Sequence, residues 1–143
     1  MHRVRPVLIG LGTTFVLIMM LQTFGGIFWP APPGLNANDQ QAILAARAAA
    51  PLLAKLYAVL TFGVAVFVGA FLARKIAGGI NTIPSWIVGG VYTAVCALNV
   101  FSAEAPIWMQ IGTVAMPLPA AWWGMTVAGA RSPVAPTNEV RSA

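Results

Sequence analysis

Four long apolar runs, separated by breaks that carry polar residues, glycine or proline, organise this chain. The first covers about residues 7–29 and ends at Trp29-Pro30-Ala31-Pro32-Pro33-Gly34, where three prolines prevent a helix from continuing. The second is the uncharged stretch 56–73 between Lys55 and Arg74. The third covers 83–101, and the fourth opens at Pro106 and reaches about 129. An α-helix needs ~20 apolar residues to cross hydrocarbon. The pattern therefore predicts an all-α integral membrane protein of four transmembrane helices in one domain, residues 1–130. A loose cytoplasmic tail, 131–143, follows it. Short connections at 77–81 and 102–105 make consecutive helices antiparallel neighbours, so an up-down-up-down bundle is the simplest packing.

The breaks add detail. Residues 36–41 carry helix-start chemistry, with Asn38 a candidate cap and Gln41 three residues on. An alanine-rich segment follows to Ala50, which predicts a short external helix before the second span. Pro51 kinks or restarts the chain there, and Pro84 suits the first turn of the third span, where a missing donor costs nothing. Pro117 and Pro119 fall in the middle of the fourth span, where each removes a backbone donor and bends the helix. The first run begins like a signal peptide, but it is longer than a usual apolar signal core, so a retained span is expected.

Composition agrees with lipid as the main solvent: 59% of the 143 residues are hydrophobic and 8% charged, and the mean hydropathy is +0.81. The net charge of +5 has no dense basic run behind it, so nucleic acid is not an expected partner. Instead the basic residues sort by loop. Arg3 and Arg5 precede the first run, Arg74 and Lys75 separate the second and third, and Arg131 and Arg141 follow the fourth. With four spans these six share one face, which orients both termini to the cytoplasm. Arg47 and Lys55 are the exceptions and bracket Pro51 on the outer side. Aromatic residues mark the same boundaries. Trp29, Tyr57 and Trp108 lie near outer ends, and Trp86, Trp122 and Trp123 toward inner ends, as interfacial anchors do.

Helix contacts in lipid rely on small residues that let backbones approach. Ala65, Gly69 and Ala73 recur at four-residue spacing in the second span, Gly90 and Ala94 in the third, and Gly124 and Ala128 in the fourth. Polar residues within reach of the bilayer gather on the outward side: Gln22, Thr23, Asn99 and Gln110, with Glu104 in the last loop. They suit either an outward polar pocket roofed by the loop after Trp29, or interhelical hydrogen bonds that hold the helices together. Asp39 and Glu104 are the external acids and could act as an acid and base pair only if the fold joined them.

Other chemistries are poorly supplied. His2 is the single histidine and lies near the terminus, which excludes paired-histidine haem ligation and histidine-based metal sites within the bundle. One cysteine, Cys96, permits no internal disulfide and reads as a small apolar filler. Met19, Met20, Met109, Met116 and Met125 are soft ligands in principle, but suit core packing. No catalytic residue, cofactor or metal is expected.

The aromatic-proline loop after the first helix, the ending Gly69-Ala70-Phe71-Leu72-Ala73-Arg74 and the opening Ala105-Pro106-Ile107-Trp108 resemble a group of small uncharacterised bacterial four-helix inner-membrane proteins. That resemblance implies the same architecture and no particular chemistry. Small four-span exporters use a glutamate in their first span where this chain has Gln22, and the membrane-associated glutathione and eicosanoid enzymes use arginine and polar motifs that are absent here. Three functional expectations follow. The preferred one is a non-catalytic integral membrane protein, an accessory or assembly subunit of a larger complex or a small homo-oligomer, with the lipid bilayer and other subunits or itself as partners. The alternatives are a transporter or channel for a small solute or lipid through the outer polar pocket, and an outward-facing membrane enzyme acting through Glu104.

Overall fold

The computed structural model describes residues 4–36, 38–101 and 106–130. Among them every regular element is an α-helix: α1 (Arg5–Phe28), α2 (Gln40–Ala49), α3 (Leu52–Ile76), α4 (Ile83–Phe101), α5 (Ile107–Ala115) and α6 (Pro117–Ala130). Three of these, α1, α3 and the stretch Ile83–Val100 of α4, are long and apolar enough to cross a membrane. The expected tail 131–143 and the loop 102–105 lie outside the described residues.

Local chemistry sets the helix ends. α1 opens with Pro6 in its first turn, where the missing N–H would have had no partner. It stops at Trp29, which leaves helical geometry while its N–H donates to the Gly25 carbonyl. The cap of α2 is Asp39, one residue beyond the expected Asn38. Asp39 is extended, and its carboxylate accepts the Ala42 N–H at 3.0 Å. Asn38 belongs to the turn before it, donating its own N–H to Asn36 Oδ1 at 3.0 Å. A carboxylate at this position also faces the positive end of the helix dipole, an advantage an amide lacks. Pro51, at φ −62° and ψ 154°, then restarts the chain as the cap of α3. α3 begins at Leu52 and takes in Lys55, Arg74 and Lys75. Long basic side chains are good helix formers, so the helix outruns the apolar stretch at both ends.

The fourth apolar run divides at Met116. Pro117 has no N–H for the Thr113 carbonyl, and Pro119 none for that of Ala115. Met116 nevertheless keeps right-handed helical angles, φ −65° and ψ −39°. Its N–H donates to Gly112 O at 3.0 Å, and its carbonyl accepts the Ala120 N–H at 3.1 Å. The backbone thus carries its helical sense across the break.

α3 is the central helix, packing against α1, α4, α5 and α6, whereas α1 meets α3 and α4 but neither α5 nor α6. Gly10 lies against Gly69 and Ala73, while Gly25 lies against Tyr57, so α1 and α3 run in opposite directions. Gly112 meets Val59, Gly124 meets Phe67 and Gly129 meets Arg74, so α5 and α6 run with α3. α2 packs on none of the other helices; its tie to α3 is a hydrogen bond from Lys55 Nζ to the Ala48 carbonyl, 2.7 Å.

Small residues line the contacts. Ala65, Gly69 and Ala73 of α3 are buried, as are Gly124 and Ala128 of α6. In α4 the register differs from the expected pair: Gly90 and Ala94 are exposed, and a Cβ on Gly90 would meet nothing within 4 Å. Gly89 makes the close approach instead, since a Cβ there would stand 2.7 Å from that of Ala121. A helix turns ~100° per residue, so Gly89 joins the inward face of Ser85, Val88, Tyr92 and Cys96 while its neighbour turns away. Outside this core the helices remain apolar: Leu8, Phe15, Phe24, Ile27 and Phe28 of α1 are all exposed. A helix of a water-soluble protein would carry polar residues on that face.

Candidate functional site

The five residues of the expected outer pocket fall as follows. Gln22 and Thr23 are exposed on α1, Asn99 is exposed on α4, Gln110 is half-buried on α5, and Glu104 lies outside the described residues. Thr23 Oγ1 donates to its own helix at Met19 O, 2.8 Å, and Asn99 Nδ2 donates to Val95 O, 2.8 Å. Donation to the carbonyl one turn back satisfies a polar side chain without any partner across the helix interface. These two donors are therefore turned to their own helices and not to a shared ligand. Asp39, the described acid of the supposed pair, is engaged as the cap of α2.

The aromatic residues expected to be interfacial anchors fare differently. Trp29 and Tyr57 come together, with ring centroids 5.6 Å apart and planes tilted by 46°, and Phe28 flanks Trp29 at 6.1 Å. The Tyr57 hydroxyl donates to the Leu21 carbonyl of α1 at 2.6 Å. Its ring fills the space beside Gly25, where a Cβ would come within 2.7 Å. Trp86, Trp108, Trp122 and Trp123 are exposed.

The most developed polar geometry lies among groups that the sequence pattern did not single out. Ser85 of α4 is fully buried and donates to the Ala70 carbonyl of α3 at 2.7 Å. Tyr92, two turns further along α4, donates to the Leu11 carbonyl of α1 at 3.0 Å. Thr14 is fully buried between α1 and Gly69 and donates back to Gly10 O at 2.8 Å. Among the described residues no buried side-chain nitrogen or oxygen lacks a partner. The seven-residue spacing of Ser85 and Tyr92 was the available signal, because it places both hydroxyls on one helix face.

At the opposite end from Trp29, Arg74 ties three elements. Nε donates to the Gly79 carbonyl in the turn after α3, 2.7 Å, and Nη1 donates to the Met125 carbonyl of α6. Gly78 and Gly79 adopt φ of +86° and +79°, angles that glycine takes without the penalty of a Cβ. Gly129 leaves the room that the guanidinium occupies. Arg74, expected to serve orientation, is a clamp joining α3, the turn and α6.

Ser85 and Tyr92 donate from α4 to backbone carbonyls of α3 and α1, bonds that fix helix register, whereas the buried Thr14 and Thr61 hydroxyls donate within their own helices. The methionines are spread over the fold: Met19 and Met20 are exposed on α1, Met116 packs beside Gly63, and Met125 is buried in α6. The chain matches no protein family, no curated protein and no solved structure with which it was compared.

Proposed function

We propose that this chain is a non-catalytic, four-span protein of the bacterial inner membrane that works through helix packing, as an accessory or assembly subunit of a larger complex or as a small homo-oligomer. In this reading α1, α3 and α4 are three spans of an up-down-up-down bundle, and α5 with α6 forms a broken fourth. Residues 107–130 would extend roughly 36 Å as continuous helix, enough to cross. The basic residues put both termini in the cytoplasm, and the resemblance to small bacterial four-helix inner-membrane proteins belongs to the same proposal.

The observation that carries it is the state of α1. This helix of 24 residues buries only Pro6, Gly10, Thr14 and Ile18, all toward α3 and α4. The rest of its apolar surface is left for lipid or for a helix of another subunit. Within the chain, hydroxyl-to-carbonyl bonds and glycine contacts hold the helices in register, which is what a scaffold requires. Extraction in a mild detergent followed by mass determination tests the reading. A stoichiometric partner or a defined oligomer supports it, and a solitary monomer overturns it.

A transporter remains as a second reading because of the break at Met116, beside Gly63 of α3 and next to the fully buried Pro117. Discontinuous helices line substrate sites in several transporter folds. Gln110→Leu would then abolish a flux that the native chain supports in vesicles, and unchanged flux would reject it.

A further inference from the structure

We infer that the cleft between the start of α1 and the end of α3 binds the headgroup of an anionic phospholipid. Arg5, Pro6, Ile9 and Ile76 line it. Arg5 brings a cationic residue to the lining and the other three residues are apolar, with Ile9 and Ile76 both open to the surroundings. An anionic phospholipid presents the matching pair of features: a phosphate for the cation and an acyl chain to lie along the two isoleucines.

Charge at this end of the helices favours an anion. Arg5, Arg74 and Lys75 gather there, while Asp39, the acid among the described residues, caps α2 beyond the other end of α1. Arg74 is committed to the Gly79 and Met125 carbonyls, and Lys75 lies over the Phe71 ring at 5.9 Å. Arg5 forms no ion pair among the described residues and is exposed. A basic site between transmembrane helices on the cytoplasmic side attracts acidic headgroups. Free phosphate would use the arginine and leave the apolar walls idle, so the lipid is the better match.

This inference rests on the membrane-spanning part of the proposed function and not on the oligomer or partner. A monomer that keeps the lipid preference would overturn only the latter. The test is native mass spectrometry of the full chain in micelles containing equal phosphatidylglycerol and phosphatidylcholine. Native protein should retain phosphatidylglycerol preferentially. Arg5→Gln should lower that preference by about five-fold, the effect of one cation at a membrane surface, and Arg5→Lys should keep most of it. Ile76→Trp, which narrows the cleft and leaves the charge, should also weaken retention. Circular dichroism of each variant separates loss of the site from loss of the fold. Equal retention of the two lipids by the native chain, or an Arg5→Gln variant that keeps its preference, would overturn the inference. So would displacement of the lipid by inorganic phosphate, which would identify a free-anion site.

Discussion

Gly69→Ala puts the packing of α1 on α3 to a direct test. A methyl group there would stand 2.7 Å from the Gly10 carbonyl oxygen and would also strike the Thr14 hydroxyl. Thr14 can rotate away at the expense of its bond to Gly10, but the carbonyl is backbone and cannot. α1 must then withdraw by at least about 0.7 Å to reach an ordinary 3.4 Å contact. That movement stretches the two bonds that tie α1 to its neighbours, Tyr57 to Leu21 and Tyr92 to Leu11, each worth ~0.6 kcal/mol in a membrane protein. Overpacking of a close contact typically costs ~1–3 kcal/mol, and this one belongs at the upper end. Alanine returns about 0.5–1 kcal/mol through its better helix propensity. The net loss is about 2 kcal/mol, a fall in Tm of roughly 4–8 °C for a chain of this size. The control is Gly90→Ala, where the new methyl meets nothing within 4 Å, so propensity alone acts and stability should hold or rise slightly. Thermal unfolding in detergent, followed by tryptophan fluorescence, measures both. Equal stability of the two variants would refute the close approach of α1 and α3 at Gly69.

Other perturbations separate the remaining contacts. Tyr57→Phe keeps the stack on Trp29 and deletes the hydroxyl bond to Leu21, so it should cost only ~0.6 kcal/mol, whereas Tyr57→Ala should cost several-fold more in the same unfolding assay. Arg74→Gln removes the tie between α3, the turn and α6 and should destabilise by about 2 kcal/mol, the usual worth of a charged hydrogen-bond donor. Lys75→Gln should be nearly silent by comparison, since it loses only an exposed contact with Phe71. Asp39→Ala removes the cap of α2, worth ~1 kcal/mol to that helix. Because α2 packs on no other helix, hydrogen exchange should speed up in 40–49 while the Tm of the whole stays unchanged.

Much of the fold was legible because it depends on periodicity and length. The apolar runs at 7–29, 56–73 and 83–101 correspond to α1, α3 and α4 within a few residues, and the prolines at 51 and 117 mark real boundaries. Less legible was which small residues touch. Gly89 and Gly90 are adjacent and chemically identical, and only the rotation of α4 against α6 makes one a contact and the other a surface. The cap of α2 moved from Asn38 to Asp39 for a similar reason, since both are capable and the turn through Asn36 decides between them. The polar groups with the most developed geometry were not legible, because hydroxyls stand out less in an apolar sequence than amides and acids do. Ser85, Thr14 and Tyr92 look ordinary in an apolar sequence. The roles of Ser85 and Tyr92 appear only when a neighbouring helix brings a carbonyl to each hydroxyl, and that of Thr14 only when Gly69 of α3 closes over it. For Arg74 the charge pattern gave no sign of its bonds to the Gly79 and Met125 carbonyls.

In the function proposed above, this chain acts by associating with other helices through its exposed apolar surface. The most direct measurement is the mass of the particle that carries it when taken from its own membrane into a mild detergent or a lipid disc. A discrete assembly of this chain with itself, or with another subunit in fixed ratio, is the expected result. A homogeneous particle containing one copy and nothing else, at every lipid-to-protein ratio, would contradict the account.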